Sequence, residues 1–100
     1  MKGITHSKNG DTATISLPKI FKCHYHADFV RAYKSCKEQK YELNFESVKY
    51  IDSSALGMLL MLLEHSGGKP YDNSIRITHC SEKILSILKR VNFHKIFTIA

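Results

Sequence analysis

The segment Tyr50–His65, YIDSSALGMLLMLLEH, constrains the fold most, because a strand-like stretch runs directly into an apolar helix. Four leucines follow the i, i+3, i+4, i+7 spacing of one helix face, namely Leu56, Leu59, Leu60 and Leu63. The opposite half carries Met58, Met61 and Leu62. We therefore expect the leucine face in the core and the methionines available to a partner protein, unless another helix of the domain covers them.

The start of this helix carries the acidic and hydroxyl side chains of Asp52, Ser53 and Ser54. Ser53 is the natural N-cap, since its hydroxyl can accept a hydrogen bond from an otherwise unpaired amide one turn on. Gly57 is disfavoured inside a helix by about 1 kcal/mol relative to alanine, which indicates a close approach of another backbone there. That backbone belongs either to a partner or to the domain itself.

Alternating segments on both sides of the junction predict an α/β sheet. Ile4–Lys8 and Thr12–Leu17 flank Asn9-Gly10-Asp11, which predicts an antiparallel hairpin. The later helices have the length needed to cross between parallel strands. After a connection at Pro18–His24, the predicted elements are a helix from about Tyr25 to Glu38, strands at Tyr41–Phe45 and Val48–Ile51, a helix to His65 ended by Ser66-Gly67-Gly68 and Pro70, a strand at Ser74–Thr78, a helix at Glu82–Val91 capped by Ser81, and a last strand at Phe97–Ile99.

The amino-acid composition limits the kinds of function that we expect for this chain. The 100 residues predict one domain, and 15 Lys plus Arg against 9 Asp plus Glu give a net charge of +6. The basic residues are dispersed and lack interleaved aromatics, so we expect no nucleic-acid site but an affinity for acidic proteins. Cys23, Cys36 and Cys80 are odd in number and widely spaced, which predicts reduced cytoplasmic thiols. We expect no metal, no cofactor and no membrane insertion.

The string Asp52-Ser53-Ser54-x-x-Gly57 before an apolar helix resembles the signature of STAS domains, and more narrowly that of anti-anti-sigma factors (anti-sigma factor antagonists). The resemblance covers most of the chain. It implies a mixed sheet with an N-terminal antiparallel hairpin and helices mainly on one face. It also implies that Ser53 is phosphorylated by a partner kinase. Ala55 stands where many members carry glycine, and Ala100 leaves no room for the family's usual final helix.

The resemblance implies a phosphorylation-switched adaptor that binds an anti-sigma factor or serine protein kinase while Ser53 is unmodified, with a phosphatase reversing the mark. The predicted partner-binding residues are Asp52, Ser53, Ser54, Gly57, Met58 and Met61. The alternative is an unphosphorylated STAS subunit of a transport assembly such as an ABC-type lipid transporter. An enzyme is not expected, because no activating base or phosphate-binding loop accompanies Ser53.

Overall fold

The structure is a computed structural model that describes residues 3–35, 40–66 and 74–100. It contains two short 3-10 turns, at Cys23–Tyr25 and at Phe93–Lys95. The strands and helices run in the order β1 (Thr5–Asn9), β2 (Thr12–Ser16), β3 (Ile20–Phe21), α1 (His26–Ser35), β4 (Lys40–Asn44), β5 (Tyr50–Ile51), α2 (Ser53–His65), β6 (Ile75–Thr78), α3 (Glu82–Arg90) and β7 (Thr98–Ile99).

The chain opens with the predicted antiparallel hairpin. Asn9 of β1 pairs with Thr12 of β2, so the loop consists of Gly10 and Asp11. Gly10 has a φ of 66°, a left-handed conformation that costs glycine little because it has no Cβ. A glycine at the first position of a two-residue loop matches the strand twist of a tight hairpin. The hairpin prediction is therefore confirmed.

The main sheet has the strand order β1-β2-β4-β6-β7. Strand β1 is antiparallel to β2, and each later neighbour pair is parallel. A helix lies between the successive parallel strands along the chain, as a crossover between parallel strands requires. The predicted mixed α/β sheet is confirmed.

The two faces of this sheet differ in burial because side chains alternate along each strand. One face carries buried rows, Ala13 beside Tyr41 and Ile75, then Ile15 beside Leu43 and Ile77. The opposite face carries the partly or fully exposed row Thr14, Glu42 and Arg76. On that polar face, the Thr78 hydroxyl donates a hydrogen bond of 3.0 Å to the Glu42 carboxylate. The core therefore lies on a single face of the sheet.

Helices α1 and α3 contribute apolar side chains to this core. Phe29, Ala32 and Tyr33 of α1 are buried, and the Phe29 ring packs edge-on against Phe21 at 5.4 Å. The predicted end of α1, which includes Cys36 and Glu38, lies outside the described residues.

Ser81 is the N-cap of α3, as predicted, and its hydroxyl accepts a hydrogen bond from the Ile84 amide at 3.3 Å. Ile84 and Leu88 are buried. Val91, which the sequence placed on the apolar stripe, follows the last residue of α3 and is 41% exposed.

The segment Pro18–His24 is more than the predicted connection, because it contains β3. Strand β3 pairs in parallel with β5 in a separate two-stranded sheet, with Ile20 opposite Tyr50 and Phe21 opposite Ile51. Strand β5, the strand predicted to lead into α2, is therefore outside the main sheet. Strands of two residues are too short to produce a readable alternation, so the sequence pattern missed this pairing.

The predicted orientation of α2 is wrong by one residue. Its fully buried side chains are Ala55, Met58, Leu59 and Leu62, which keep the i, i+3, i+4, i+7 spacing but start at residue 55. Met58 is 2% exposed and belongs to the core, whereas Leu60 is 43% exposed. Met61, at 38% exposure, lies outside as predicted. The helix ends at His65 as expected, and the predicted stop at Gly67, Gly68 and Pro70 lies outside the described residues.

Candidate functional site: the amino terminus of α2

Asp52 caps α2. Its backbone is extended, and its Oδ1 accepts hydrogen bonds from the Ala55 amide at 3.0 Å and from the Ser54 hydroxyl at 2.6 Å. These bonds favour the carboxylate over the carboxylic acid, so the Ser54 hydroxyl first and the Ala55 amide second hold the Asp52 pKa below its usual value. The prediction that Ser53 is the N-cap is therefore wrong. Aspartate and serine are about equally good caps, and the residue one position earlier takes the role.

Ser53 is the first residue of α2, and its side chain is exposed. Within residues 3–35, 40–66 and 74–100, its hydroxyl has no hydrogen-bond partner. The neighbouring Ser54 is half-buried and its hydroxyl is bound to Asp52. The two adjacent serines therefore differ sharply, because only Ser53 presents a free hydroxyl to solvent.

The exposed face of α2, which we define as Gly57, Leu60 and Met61, continues from Ser53 along the helix. A Cβ added at Gly57 would meet no atom within 4 Å. The glycine therefore makes no close contact with the described part of the domain. The structure brings Asp52, Ser53, Ser54 and this exposed face together, and it removes Met58 from the surface.

The outer face of the β3–β5 pair adds residues that sequence reasoning missed. Ile20 and Tyr50 are cross-strand neighbours, 46% and 51% exposed, whereas Phe21 and Ile51 on the inner face are buried. Tyr50 lies three residues before Ser53, so this apolar pair adjoins the start of α2. The signal in the sequence is a repeated pattern of one lysine followed by two apolar residues, in Lys19-Ile20-Phe21 and Lys49-Tyr50-Ile51.

Other kinds of site lack support in the described ranges. These residues contain no group of three or more His, Cys, Asp or Glu side chains placed to hold a metal ion. Cys23 and Cys80 are free thiols, and burial raises the Cys80 pKa to about 11, while Cys36 lies outside the described residues. Among the described helices, none is long and apolar enough to cross a membrane.

Comparison with known proteins identifies the family. No protein-family model matches the chain. A STAS-domain containing protein of Pseudomonas aeruginosa (strain UCBPP-PA14) is 35% identical over 96 residues, which cover 94% of this chain and 93% of that protein. At this identity and coverage, the chain belongs to the STAS-domain family.

Solved structures show the same fold. The crystal structure of a Thermotoga maritima protein described as a candidate anti-sigma factor antagonist, TM1081, superposes with a TM-score of 0.79 at 20% identity, over 96% of this chain and 84% of that one. The anti-sigma factor antagonist SpoIIAA in its unphosphorylated form gives 0.70 at 16% identity, over 98% and 87%. The Bacillus SpoIIAA in its phosphorylated form gives 0.68 at 16% identity, over 98% and 91%.

Proposed function

We propose that this protein is a phosphorylation-controlled signalling adaptor without enzymatic activity, acting in the cytoplasm as an anti-sigma factor antagonist. While Ser53 is unmodified, the start and the exposed face of α2 bind an anti-sigma factor or a serine protein kinase. Phosphorylation of Ser53 releases that partner, and a protein serine phosphatase restores binding.

The observation that carries the proposal is the contrast between the two adjacent serines. The Ser53 hydroxyl is exposed and unbonded in the described structure, so a kinase can reach it without disturbing the fold. Phosphorylating Ser54 would instead break its 2.6 Å hydrogen bond to Asp52, the residue that caps α2. This contrast supports Ser53 as the phosphoacceptor.

The charges around Ser53 explain how the modification acts. A helix N-terminus favours an exposed phosphate by about 0.3–1 kcal/mol, whereas the Asp52 carboxylate repels its charge of roughly −1.5 to −2. These opposing effects leave the fold intact. A partner that covers Ser53 must bury the added charge, and a penalty of about 3 kcal/mol weakens binding on the order of a hundredfold. The switch therefore operates on association.

The comparisons support this reading at the level of the fold. This chain superposes about equally well on the unphosphorylated and phosphorylated forms of SpoIIAA. A fold of this kind thus accommodates both states in that protein. The exposed Leu60 and Met61 add the apolar surface that a partner protein needs.

Two measurements test the proposal. Intact-mass analysis of the protein from its native cells, with peptide mapping, should find one phosphate on Ser53. The protein that co-purifies with the unmodified form is then titrated with wild type, Ser53→Ala, Ser53→Asp and Ser54→Ala. Ser53→Asp should bind about a hundredfold more weakly at a nearly unchanged Tm, while Ser53→Ala keeps its affinity.

Equal affinities for all four proteins would contradict the switch. They would favour the alternative of a STAS subunit in a transport assembly, where the same surface packs on a neighbouring subunit without phosphorylation. Loss of regulation in Ser54→Ala alone would move the phosphoacceptor to Ser54.

A further inference from the structure

Directly before α2 lies a small exposed apolar surface that has lysines next to it in the chain. Ile20 and Tyr50 are paired across β3 and β5 and are about half exposed, although both are large and apolar. Lys19, Lys22 and Lys49 flank them in the chain and are all exposed. We call these five residues the β3–β5 surface.

Backbone pairing holds this surface in place. The Lys49 and Tyr50 amides both donate to the Lys19 carbonyl oxygen, at 2.8 and 3.2 Å. On the inner side, Phe21 and Ile51 are buried in the core. The exposed Ile20 and Tyr50 side chains thus lie on a strand pair that is fixed by backbone hydrogen bonds and by its buried inner side.

The net charge of the β3–β5 surface indicates the kind of partner segment that would bind it. Segments 19–22 and 49–52 together contain three lysines and one aspartate, which leaves a net charge of about +2. An exposed apolar pair with exposed lysines next to it in the chain is complementary to a protein segment that combines acidic and apolar side chains.

The strand pairing ends next to the phosphoacceptor. Ile20 lies opposite Tyr50 and Phe21 opposite Ile51, and Lys22 and Asp52 are the residues that directly follow this last pair. Both of those residues have extended backbones. Ser53 follows Asp52 directly, so a phosphate on Ser53 lies at the border of the β3–β5 surface.

We propose that the β3–β5 surface docks an acidic, partly apolar segment of the protein partner, and that phosphate on Ser53 cancels the charge that attracts it. A phosphoserine carries roughly −1.5 to −2, which is about the net positive charge of the two segments. The docking surface stands by itself, whereas its regulation rests on the proposed function of Ser53.

Defined probes test the docking without a native partner. The full chain is titrated, by amide NMR and fluorescence anisotropy, with a 16-residue synthetic peptide in which glutamates flank a central Leu and Phe. A second peptide has every Glu replaced by Gln. The acidic peptide should shift the amide signals of residues 20–22 and 49–51 and bind at least tenfold more tightly than the Gln peptide.

Matched variants separate this surface from general charge. Lys22→Gln and Ile20→Ser should each weaken acidic-peptide binding at least threefold. Lys83→Gln, which removes an exposed lysine of α3, and Val91→Ser, which removes another exposed apolar side chain, should leave it unchanged. Protein with genetically encoded phosphoserine at position 53 should bind the acidic peptide at least tenfold more weakly than Ser53→Ala.

Several results would overturn the assignment. Equal binding of the two peptides would contradict the proposal of an acidic partner. An equal loss of peptide affinity in Lys22→Gln and Lys83→Gln would contradict it as well. A preference for vesicles of phosphatidylglycerol and phosphatidylcholine would reassign the surface to membranes, and dimerisation abolished by Ile20→Ser would reassign it to a second copy. Binding that depends on Lys22 but is unaffected by phosphoserine would overturn the charge-cancelling regulation and keep the docking surface. None of these results depends on whether Ser53 is modified in native cells.

Discussion

Helices α2 and α3 both begin beside a serine, but the serine has a different role in each. In α3, Ser81 is the cap and its hydroxyl is bound to the Ile84 amide at 3.3 Å. In α2, Asp52 is the cap, and Ser53 lies one position further on with its hydroxyl exposed. One position along the chain therefore decides whether a serine stabilises a helix or is available to another protein.

The exposed sides of the two helices also differ, in the polarity of their residues. The exposed residues of α3 are polar or charged, including Lys83, Lys89 and Arg90. On α2, the exposed face includes Leu60 and Met61. A helix that serves only the fold normally keeps polar residues outward, so the apolar outer side of α2 supports the binding role that we propose for it.

The largest effect should come from the two sides of α2. Leu59 is fully buried, so Leu59→Ala should lower the free energy of unfolding by about 2–5 kcal/mol through lost burial and a cavity. Leu60→Ala, at a partly exposed position, should cost less than about 1 kcal/mol. Urea denaturation measures both. Equal losses would mean that α2 has the orientation that the leucine spacing predicted.

Substitutions of the two serines should change the free energy of unfolding by clearly different amounts. Ser81→Ala removes the cap of α3 and should lower the free energy of unfolding by about 1 kcal/mol. Ser53→Ala removes an unbonded hydroxyl and should change it by less than about 0.5 kcal/mol. Thermal and urea denaturation of the two variants provide the comparison. A loss at Ser53 as large as that at Ser81 would show that Ser53 caps α2 after all.

A substitution at Gly57 should affect stability and partner binding in opposite directions. Alanine fits without contact at this exposed position, so Gly57→Ala should raise the free energy of unfolding by about 1 kcal/mol. If a partner approaches this backbone closely, the same substitution should weaken partner binding. Leu60→Ala, on the same face, serves as the control for simple loss of apolar contact. A destabilised Gly57→Ala protein would reveal a close contact within the domain.

The smallest effect concerns the pH dependence of the α2 cap. The Asp52 pKa is lowered in the folded protein, so its stabilising contribution is complete above the unfolded pKa of about 4 and is lost as the pH falls through the folded pKa. Asp52→Asn keeps a capping oxygen but does not titrate. Between pH 6 and pH 3, wild type should therefore lose slightly more stability than Asp52→Asn, as measured by urea denaturation. Parallel pH profiles would contradict the lowered pKa.

The parts of the fold that the sequence predicted are those with strong local signals. Asn9-Gly10 identified the hairpin, and the contrast between apolar and charged positions in α3 identified both that helix and its Ser81 cap. Helix α2 lacks such a contrast, because its own apolar residues lie on nearly every side of the helix. Its length was therefore predictable from sequence, whereas its orientation depended on how the helix packs.

The sequence pattern pointed to the start of α2 as the candidate site, but it did not define the local geometry there. Asp52 and Ser53 are both good capping residues, and the choice between them depends on where β5 ends, which the sequence pattern does not define. The β3–β5 pairing joins two-residue strands from distant parts of the chain, so Ile20 was missed and Tyr50 was treated only as part of a strand.

The strand order of the main sheet bears on how the protein forms during translation. Strands β1, β2, β4, β6 and β7 lie side by side in the same order in which the ribosome produces them. None of these five strands has to insert between two that are already paired, and the hairpin that starts the sheet needs only local closure. Each emerging helix can bring the next strand to the edge left by its predecessor. The sheet can therefore grow in one direction from its amino-terminal hairpin as the polypeptide leaves the ribosome.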